Sequence, residues 1–349
     1  MMIDGRKIGD SEPPFVIAEV SANHNGEKAR ALEIINRAKA CGADAVKFQT
    51  YTPDTMTVNS DQEDFRVDSG LWAGSTLYEL YSMAQTPFEW QKEMFDYARS
   101  IDITCFSTPF DETAVDLLED LNATAYKIAS FEGNDLPLIR YVASTKKPLI
   151  ISTGMLDLPE IEEAVDTALA AGCNGIALLH CVSGYPAPPD QYNLRTLVDL
   201  RQRFNLPVGL SDHTLDNSTA VASVALGASL IEKHFTLDRK GGGPDDSFSL
   251  EPEGLRELCV STRTAWSALG TVDYGLKDAE RGSVKFRRSL YFVEDLSEGD
   301  VISAHSVRRI RPGFGLPPKY IDLIIGKRVS RDVKKFEPVS FEVITEINS

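Results

Sequence analysis

Eight times between residues 15 and 235 a short apolar run ends in polar or charged residues. After each run the spacing of apolar positions turns from strand-like to helical. The runs are FVIAEV (15–20), AVKFQT (45–50), ITCFSTP (103–109), AYKIAS (125–130), PLIISTG (148–154), GIALLHC (175–181), PVGLSDH (207–213) and SLIEKHF (229–235). The segments between them predict helices over 26–40, from Pro87 through FEWQKEMFDYARS, and over 111–121, 135–145, 158–171, 193–204, 217–228 and 251–270. Unbroken β–α alternation specifies parallel strands joined by right-handed crossovers, and eight units favour closure into a (β/α)8 TIM barrel over an open doubly wound sheet.

Past Gly270 the pattern changes. TVDYGLKDAERGSVKF is polar with no apolar period, and from Arg287 onward the signals are short strands and turns: SLYFVEDL, SEGD, VISAHSVRRIRP, GFGLPP and VSFEVI. The expected organisation is a barrel over 1–272, a linker over 273–286 and a small mostly-β domain over 287–349. A domain of about sixty residues is marginal on surface-to-volume grounds, so it is expected to dock on another surface. One connection inside the barrel is unusually long. Residues 51–86, rich in Asp, Ser, Thr and aromatics, leave the catalytic face carrying Trp72, Tyr78 and Tyr81, and read as a loop that covers a substrate.

Composition narrows the partners. Against 36 basic side chains stand 52 acidic ones, a net charge of −16, which argues against nucleic acid or an anionic membrane and for a small substrate. No apolar stretch is long enough for a membrane helix, and MMIDGRKIGDSEPP lacks the basic-then-apolar order of a secretory signal, so a cytoplasmic location is expected. The 5 cysteines form no CxxC pair and read as reduced core residues, with a zinc site or a reactive thiol at Cys181 as the alternative. An anionic substrate would need local positive charge, which Lys47, Lys127 and Lys233 at three strand ends could supply.

In a parallel barrel the chemistry gathers at the C-terminal ends of the strands. His213 and His234 close the seventh and eighth runs, and two neighbouring imidazoles with open positions suit a first-row divalent metal. Either alone would read as a hydrogen-bonded structural residue; His24 and His180 are weaker candidates, and His305 reads as a surface residue. Lys47, Lys127, Thr108, Ser130, Ser152 and Ser211 form a set of ammonium groups and hydroxyls able to surround a phosphate. Lys127 also admits a Schiff base with a carbonyl substrate, which makes a metal-independent aldolase the mechanistic alternative. Glu19 and Glu132 are candidates for proton transfer, since burial among apolar strands raises a carboxyl pKa toward that task. The glycine-rich segment RKGGGPDDS (239–247) reads as a mobile loop ending in two carboxylates. A non-catalytic sugar-binding barrel is the reading from another functional class.

Taken in order, FVIAEVSANHNG, AVKFQTYTPDT, FSTPFDETAVDLL, AYKIASFEGND, ISTGM, GLSDHT, ALGASLIEKHFTLD and RPGFGLPP resemble the sialic acid synthase family over nearly the whole chain. The resemblance implies a TIM barrel followed by a SAF domain like the type III antifreeze proteins. It also implies a domain-swapped homodimer in which one chain's small domain covers its partner's barrel. The implied reaction condenses phosphoenolpyruvate with an open-chain N-acyl amino sugar; water adds, phosphate leaves and a nine-carbon 2-keto acid results. On the matched positions His213 and His234 would hold a divalent ion, usually Mn2+ with Mg2+ or Co2+ as alternatives. Lys47, Thr108, Lys127, Ser130, Ser152 and Ser211 would hold phosphoenolpyruvate, and Glu19 and Glu132 would orient water or move protons. Gln49, Tyr185 and Asp245 would contact the sugar, and Arg311 would reach it from the partner subunit. Ser183, where the sialic acid branch often has asparagine, belongs with the sugar contacts and prevents sugar specificity from being borrowed from that branch. The insertion YTPDTMTVNSDQEDFRVDSGLW and the SFEGND variant imply the branch that takes 2,4-diacetamido-2,4,6-trideoxy-L-altrose, with the legionaminic and N-acetylneuraminic acid precursors as alternatives.

Overall fold

The computed structural model describes residues 1–345, and the chain divides into two compact units, Met1–Gly270 and a second beginning at Thr271. The first unit thus ends two residues before the expected boundary at 272. The expected end of the second domain falls on 346–349, outside the described residues.

A short antiparallel hairpin, β1 (Met2–Ile3) and β2 (Arg6–Lys7), opens the chain and had no signal in the apolar pattern. All eight apolar runs then form strands: β3 (Phe15–Glu19), β4 (Ala45–Thr50), β5 (Thr104–Pro109), β6 (Tyr126–Ile128), β7 (Leu149–Ser152), β8 (Ile176–Cys181), β9 (Val208–Asp212) and β10 (Leu230–His234). Each pairs in parallel with the next, and β10 pairs with both β9 and β3, so the sheet closes. Between them run α1 (Lys28–Cys41), α2 (Pro53–Met56), α3 (Leu77–Ala84), α4 (Phe88–Ser100), α5 (Glu112–Asp120), α6 (Leu136–Ser144), α7 (Leu158–Ala170), α8 (Arg195–Phe204), α9 (Ser218–Ala225) and α10 (Pro252–Leu269). Helix starts follow from local chemistry. Asp111, Asp135 and Asp157 each accept from backbone N–H groups of the first turn of α5, α6 and α7, a cap that contributes about 1 kcal/mol apiece. Among the described residues no helix is long and apolar enough to cross a membrane.

Strand alternation sorts the barrel into layers. The outward set, including Val16, Val46, Ile128, Ile151, Leu178 and Ile231, packs with the helices in the main core. The inward set is apolar at the bottom, where Phe15, Ile17, Phe106, Ile150, Leu179 and Leu230 form one cluster sealed by Ile3 and Ile8 of the N-terminal segment. Gly209 belongs to this interior: a Cβ there would stand 2.3 Å from the Leu230 carbonyl oxygen and 2.6 Å from Leu179 Cδ2, so no larger residue fits. Continuing upward by two along each strand exchanges hydrocarbon for polar groups. Ile17 is followed by Glu19, Ala45 by Lys47 and Gln49, Phe106 by Thr108, Ile150 by Ser152, and Leu230 by Glu232 and His234.

The second unit has its own core of Leu290, Phe292, Ile302, Val307, Ile324, Val329, Val333, Val339 and Val343. Strands β11 (Ser289–Phe292) and β12 (Val307–Ile310) pair antiparallel, and α11 (Ile321–Ile324) follows. Much of the remainder is held by isolated bridges such as Leu296 with Val333 and Val329 with Ile344. The expected strand at VSFEVI is a short 3-10 turn at Phe341–Val343 flanked by bridging residues, and the linker contains a 3-10 segment at Asp278–Phe286.

Candidate active site

The inward polar layer at the C-terminal end of the barrel gathers most of the residues singled out from sequence. Its centre is a buried ionic cluster. Lys47 Nζ lies 3.0 Å from Glu19 Oε2 and 3.7 Å from Glu232 Oε2, while Lys127 Nζ lies 3.0 Å from Glu232 Oε1. Thr108 Oγ1 accepts from Lys47 Nζ at 3.1 Å, and Ser211 Oγ donates to Glu232 Oε1 at 3.1 Å. Ser152 Oγ, on the neighbouring strand, is buried with no hydrogen-bond partner. Beside it the Gly154 N–H donates to Ser130 Oγ, and a Cβ on Gly154 would stand 2.5 Å from Ser183 Oγ and 2.7 Å from Ser130 Oγ. The glycine of ISTG therefore lets two hydroxyls and an N–H share one small space.

Charge in this cluster is unevenly distributed. Burial pushes the Glu19 carboxyl up, beyond what Lys47 beside it can offset. Glu232, despite its burial, is held low because Lys127 and Lys47 both face it. Burial lowers the Lys127 pKa, whereas Lys47, despite its burial, is raised by Glu19 and Glu232. Two lysines set beside one carboxylate held low and one pushed up are the groups an anionic ligand requires inside a chain of net charge −16.

Two histidines border the cluster. The His213 and His234 ring centroids are 5.5 Å apart, with Tyr185 stacked 4.3 Å from His213. His213 Nδ1 donates to the Val182 carbonyl at 2.8 Å, which in the neutral ring places the lone pair on Nε2. His234 is kept neutral because burial and the neighbouring His213 hold its pKa well below the usual imidazole range. Its Nδ1 has no hydrogen-bond partner, and Asp245 Oδ2 lies 3.7 Å away. Against its burial, Cys181 beside it and the Val182 carbonyl raise the His213 pKa, so the pair would offer two imidazole lone pairs to a first-row divalent ion once His213 gives up its extra proton. Among the described residues no group of three or more His, Cys, Asp or Glu is placed to hold a metal.

Above this layer is a cavity of about 320 Å³. Ser21, Gln49, Glu132, Ser183, His234 and Asp245 form its polar side. Gln49 Nε2 donates to Glu19 Oε1 at 3.0 Å and to Ser21 Oγ at 2.9 Å, and Ser21 donates onward to Asp245. Ser21 adopts φ 45° to make that turn, a left-handed conformation uncommon outside glycine and typical of sites where side-chain direction matters. Glu132 Oε2 is buried without a partner, and desolvation pushes the carboxyl up to about 7.

The 51–86 connection covers this cavity, as expected from its position, and it is more ordered than its composition implied. It contains α2 and α3, and α3 starts at a reciprocal cap between Thr76 and Glu79. Trp72 Nε1 donates to the Pro244 carbonyl at 2.9 Å and its ring lies 5.8 Å from Tyr185, which ties this segment to the glycine-rich 239–247 loop.

Some expectations are corrected. Lys233 does not supply charge to the cluster; it alternates out of the barrel between Glu232 and His234 and pairs with Asp212 at 2.8 Å on the opposite face of the sheet. His24 and His180 are structural: His24 bonds Thr86 and the Gly26 N–H, and His180 bonds the Tyr192 carbonyl. Arg311 lies in the second unit, exposed. Glu232, at a strand end, was given no role from sequence, and Ser21 was not singled out. Glu232 had a signal, its two-residue offset from His234 on one strand, whereas Ser21 lies past the strand end where no periodicity applies. The five cysteines are all free.

A closed barrel whose upper interior carries paired lysines, a ring of hydroxyls and two adjacent imidazoles under a covered cavity defines an enzyme of the (β/α)8 class. The chain belongs to the NeuB family, whose model matches residues 34–274, and a SAF domain model matches 287–344. It is 43% identical over 320 residues, 92% of this chain and 93% of the relative, to a pseudaminic acid synthase of Campylobacter jejuni. It is 39% identical over 332 residues, 93% of each chain, to an N,N'-diacetyllegionaminic acid synthase of Legionella pneumophila. Among solved structures, the spore coat polysaccharide biosynthesis protein SpsE of Bacillus subtilis superposes with a TM-score of 0.67 at 33% identity, covering 100% of this chain and 99% of that one.

Proposed function

We propose that this chain is a pseudaminic acid synthase, condensing phosphoenolpyruvate with 2,4-diacetamido-2,4,6-trideoxy-L-altrose to give pseudaminic acid and phosphate. The observation that carries the reading is the buried Lys47–Lys127 pair ringed by Thr108, Ser130, Ser152 and Ser211 beside the His213 and His234 imidazoles. The branch rests on the 51–86 insertion and on the 43% identity to the Campylobacter enzyme.

In this reading Lys47 and Lys127 with the four hydroxyls bind the phosphate and carboxylate of phosphoenolpyruvate. Gln49, Ser183, Tyr185 and Asp245 orient the open-chain sugar. The carbon–carbon bond forms between the methylene carbon of phosphoenolpyruvate and the sugar aldehyde carbon; water adds at the former enol carbon and phosphate departs. Glu19 and Glu132, whose pKa values burial raises, hold or move the protons of the added water and of the new hydroxyl. A divalent ion held by His213 and His234, Mn2+ with Mg2+ or Co2+ as substitutes, would supply Lewis-acid polarisation of an aldehyde oxygen. The proposal includes a domain-swapped homodimer in which the exposed Arg311 reaches the N-acyl group in its partner's barrel.

The test is phosphate release from phosphoenolpyruvate with Mn2+, comparing the diacetamido altrose with the legionaminic precursor and N-acetylmannosamine, each with and without EDTA. Chelator-sensitive release with the first sugar alone is expected. Preference for another sugar would overturn the branch, and chelator-indifferent turnover trapped by borohydride on Lys127 would replace the mechanism with the Schiff-base route. Trp72→Phe removes one hydrogen bond to the 239–247 loop; it is expected to raise the KM for sugar about fivefold with little change in kcat, the effect of losing roughly 1 kcal/mol. An unchanged KM would show that the covering segment is held without it.

A further inference from the structure

The cavity lining mixes polar and apolar side chains. Besides its polar groups it includes Met56 of α2, Leu80 and Ala84 of α3, and Phe110 beyond the end of β5. Those four side chains offer no hydrogen-bond donor. The rings of Tyr51 and Tyr81 line the same cavity and brace this wall, Tyr51 standing edge-on 5.8 Å from Tyr81 and 5.2 Å from Phe110. Leu80, Tyr81 and Ala84 share one face of α3, while Glu79, Ser82 and Met83 are exposed. The helix is anchored at its start by the Thr76–Glu79 cap, so the wall is a built surface.

Direction matters for what this wall meets. The reacting aldehyde end of an open-chain sugar must approach the strand-end lysines and imidazoles. Its far end then extends toward the covering segment that follows β4. We propose that Met56, Leu80, Ala84 and Phe110 form a specificity wall that accepts the terminal methyl group of a 6-deoxy amino sugar and disfavours a hydroxymethyl there. A hydroxyl turned toward these four side chains would lose its water and find no donor among them, whereas a methyl loses nothing. The inference rests on the reading of the acceptor as an amino sugar and adds to it the residues that read its sixth carbon.

The experiment measures binding without turnover, using full-length protein and its intrinsic tryptophan fluorescence, with Trp72 at the cavity as the reporter. The two probes are 2,4-diacetamido-2,4,6-trideoxy-L-altrose and its 6-hydroxy counterpart. Wild type is expected to bind the deoxy sugar about tenfold more tightly, the discrimination available to one apolar contact. Leu80→Asn is expected to bring that ratio to about two or below, Ala84→Ser to lower it about threefold, and Leu80→Met to preserve it. Should Leu80→Asn fail to fold, Ala84→Ser decides. A wild-type ratio near one, or a ratio that survives both polar variants, would overturn the wall. Phosphate release by the same wild-type preparation is read separately: discrimination without release would retain the wall and refute the synthase reading.

Discussion

Replacing His234 by alanine is expected to lower phosphate release by about a thousandfold or more, the scale of removing a group that stabilises charge in a transition state. The fold should scarcely register the change. His234 makes no hydrogen bond through Nδ1, and burial beside His213 keeps it neutral, so its removal leaves no charge or donor stranded. Thermal melts should therefore stay near wild type while activity and Mn2+ affinity, read by calorimetry, both collapse. His213→Ala is expected to match the loss of activity and to cost stability as well, about 1 kcal/mol, because its Nδ1–H is bonded to the Val182 carbonyl. Near wild-type turnover in either variant would sink the metal assignment.

The second large effect belongs to Glu132. Glu132→Gln is expected to reduce kcat by about a hundredfold or more, the usual contribution of a positioned acid or base, and to remove one limb of the pH profile centred near neutrality. The same substitution should stabilise the protein at alkaline pH. Burial raises the carboxyl from 4.5 to about 7, so between those values the unfolded chain has released a proton that the folded chain keeps. Wild-type stability relative to the variant is therefore full below the unfolded value, falls as pH rises, and above the folded value is lower by on the order of 3 kcal/mol. Melting curves of both proteins at pH 5 and pH 8 check the sign. A gap that does not widen with pH would mean that Glu132 is solvated, and its assignment to proton transfer would lose its basis.

Legibility in the sequence varied with the kind of information required. Each barrel strand was readable because an inward position is followed two residues later by another, and hydrocarbon gives way to charge along the same face, as from Ile17 to Glu19 or from Leu230 to Glu232 and His234. Helix starts were readable where Asp111, Asp135 and Asp157 precede apolar periods. Those signals are local. Lys233 was misassigned because its charge was read from its place at a strand end without the alternation that sets it on the opposite face from Glu232 and His234; its pairing with Asp212 follows from register with β9. Ser21 was missed because its role depends on a left-handed turn and on a carboxylate more than two hundred positions away. The covering segment was read as a loop without helices, since its order comes from the Trp72 bond to Pro244 and from rings contributed by several elements.

What the sequence determined by itself was the strand and helix order, the eightfold closure, the approximate break after Gly270 and the identity of most residues that meet at the strand ends. These follow from short-range periodicity and from the rule that parallel barrels gather their chemistry at one rim. Only the tertiary structure decided which charges pair, that Glu232 is shared by two lysines, that two imidazoles lie side by side, and that polar and apolar side chains line one cavity. Those properties depend on distances between residues remote in the chain and on the solvent each group loses, and neither is written in any local stretch of sequence.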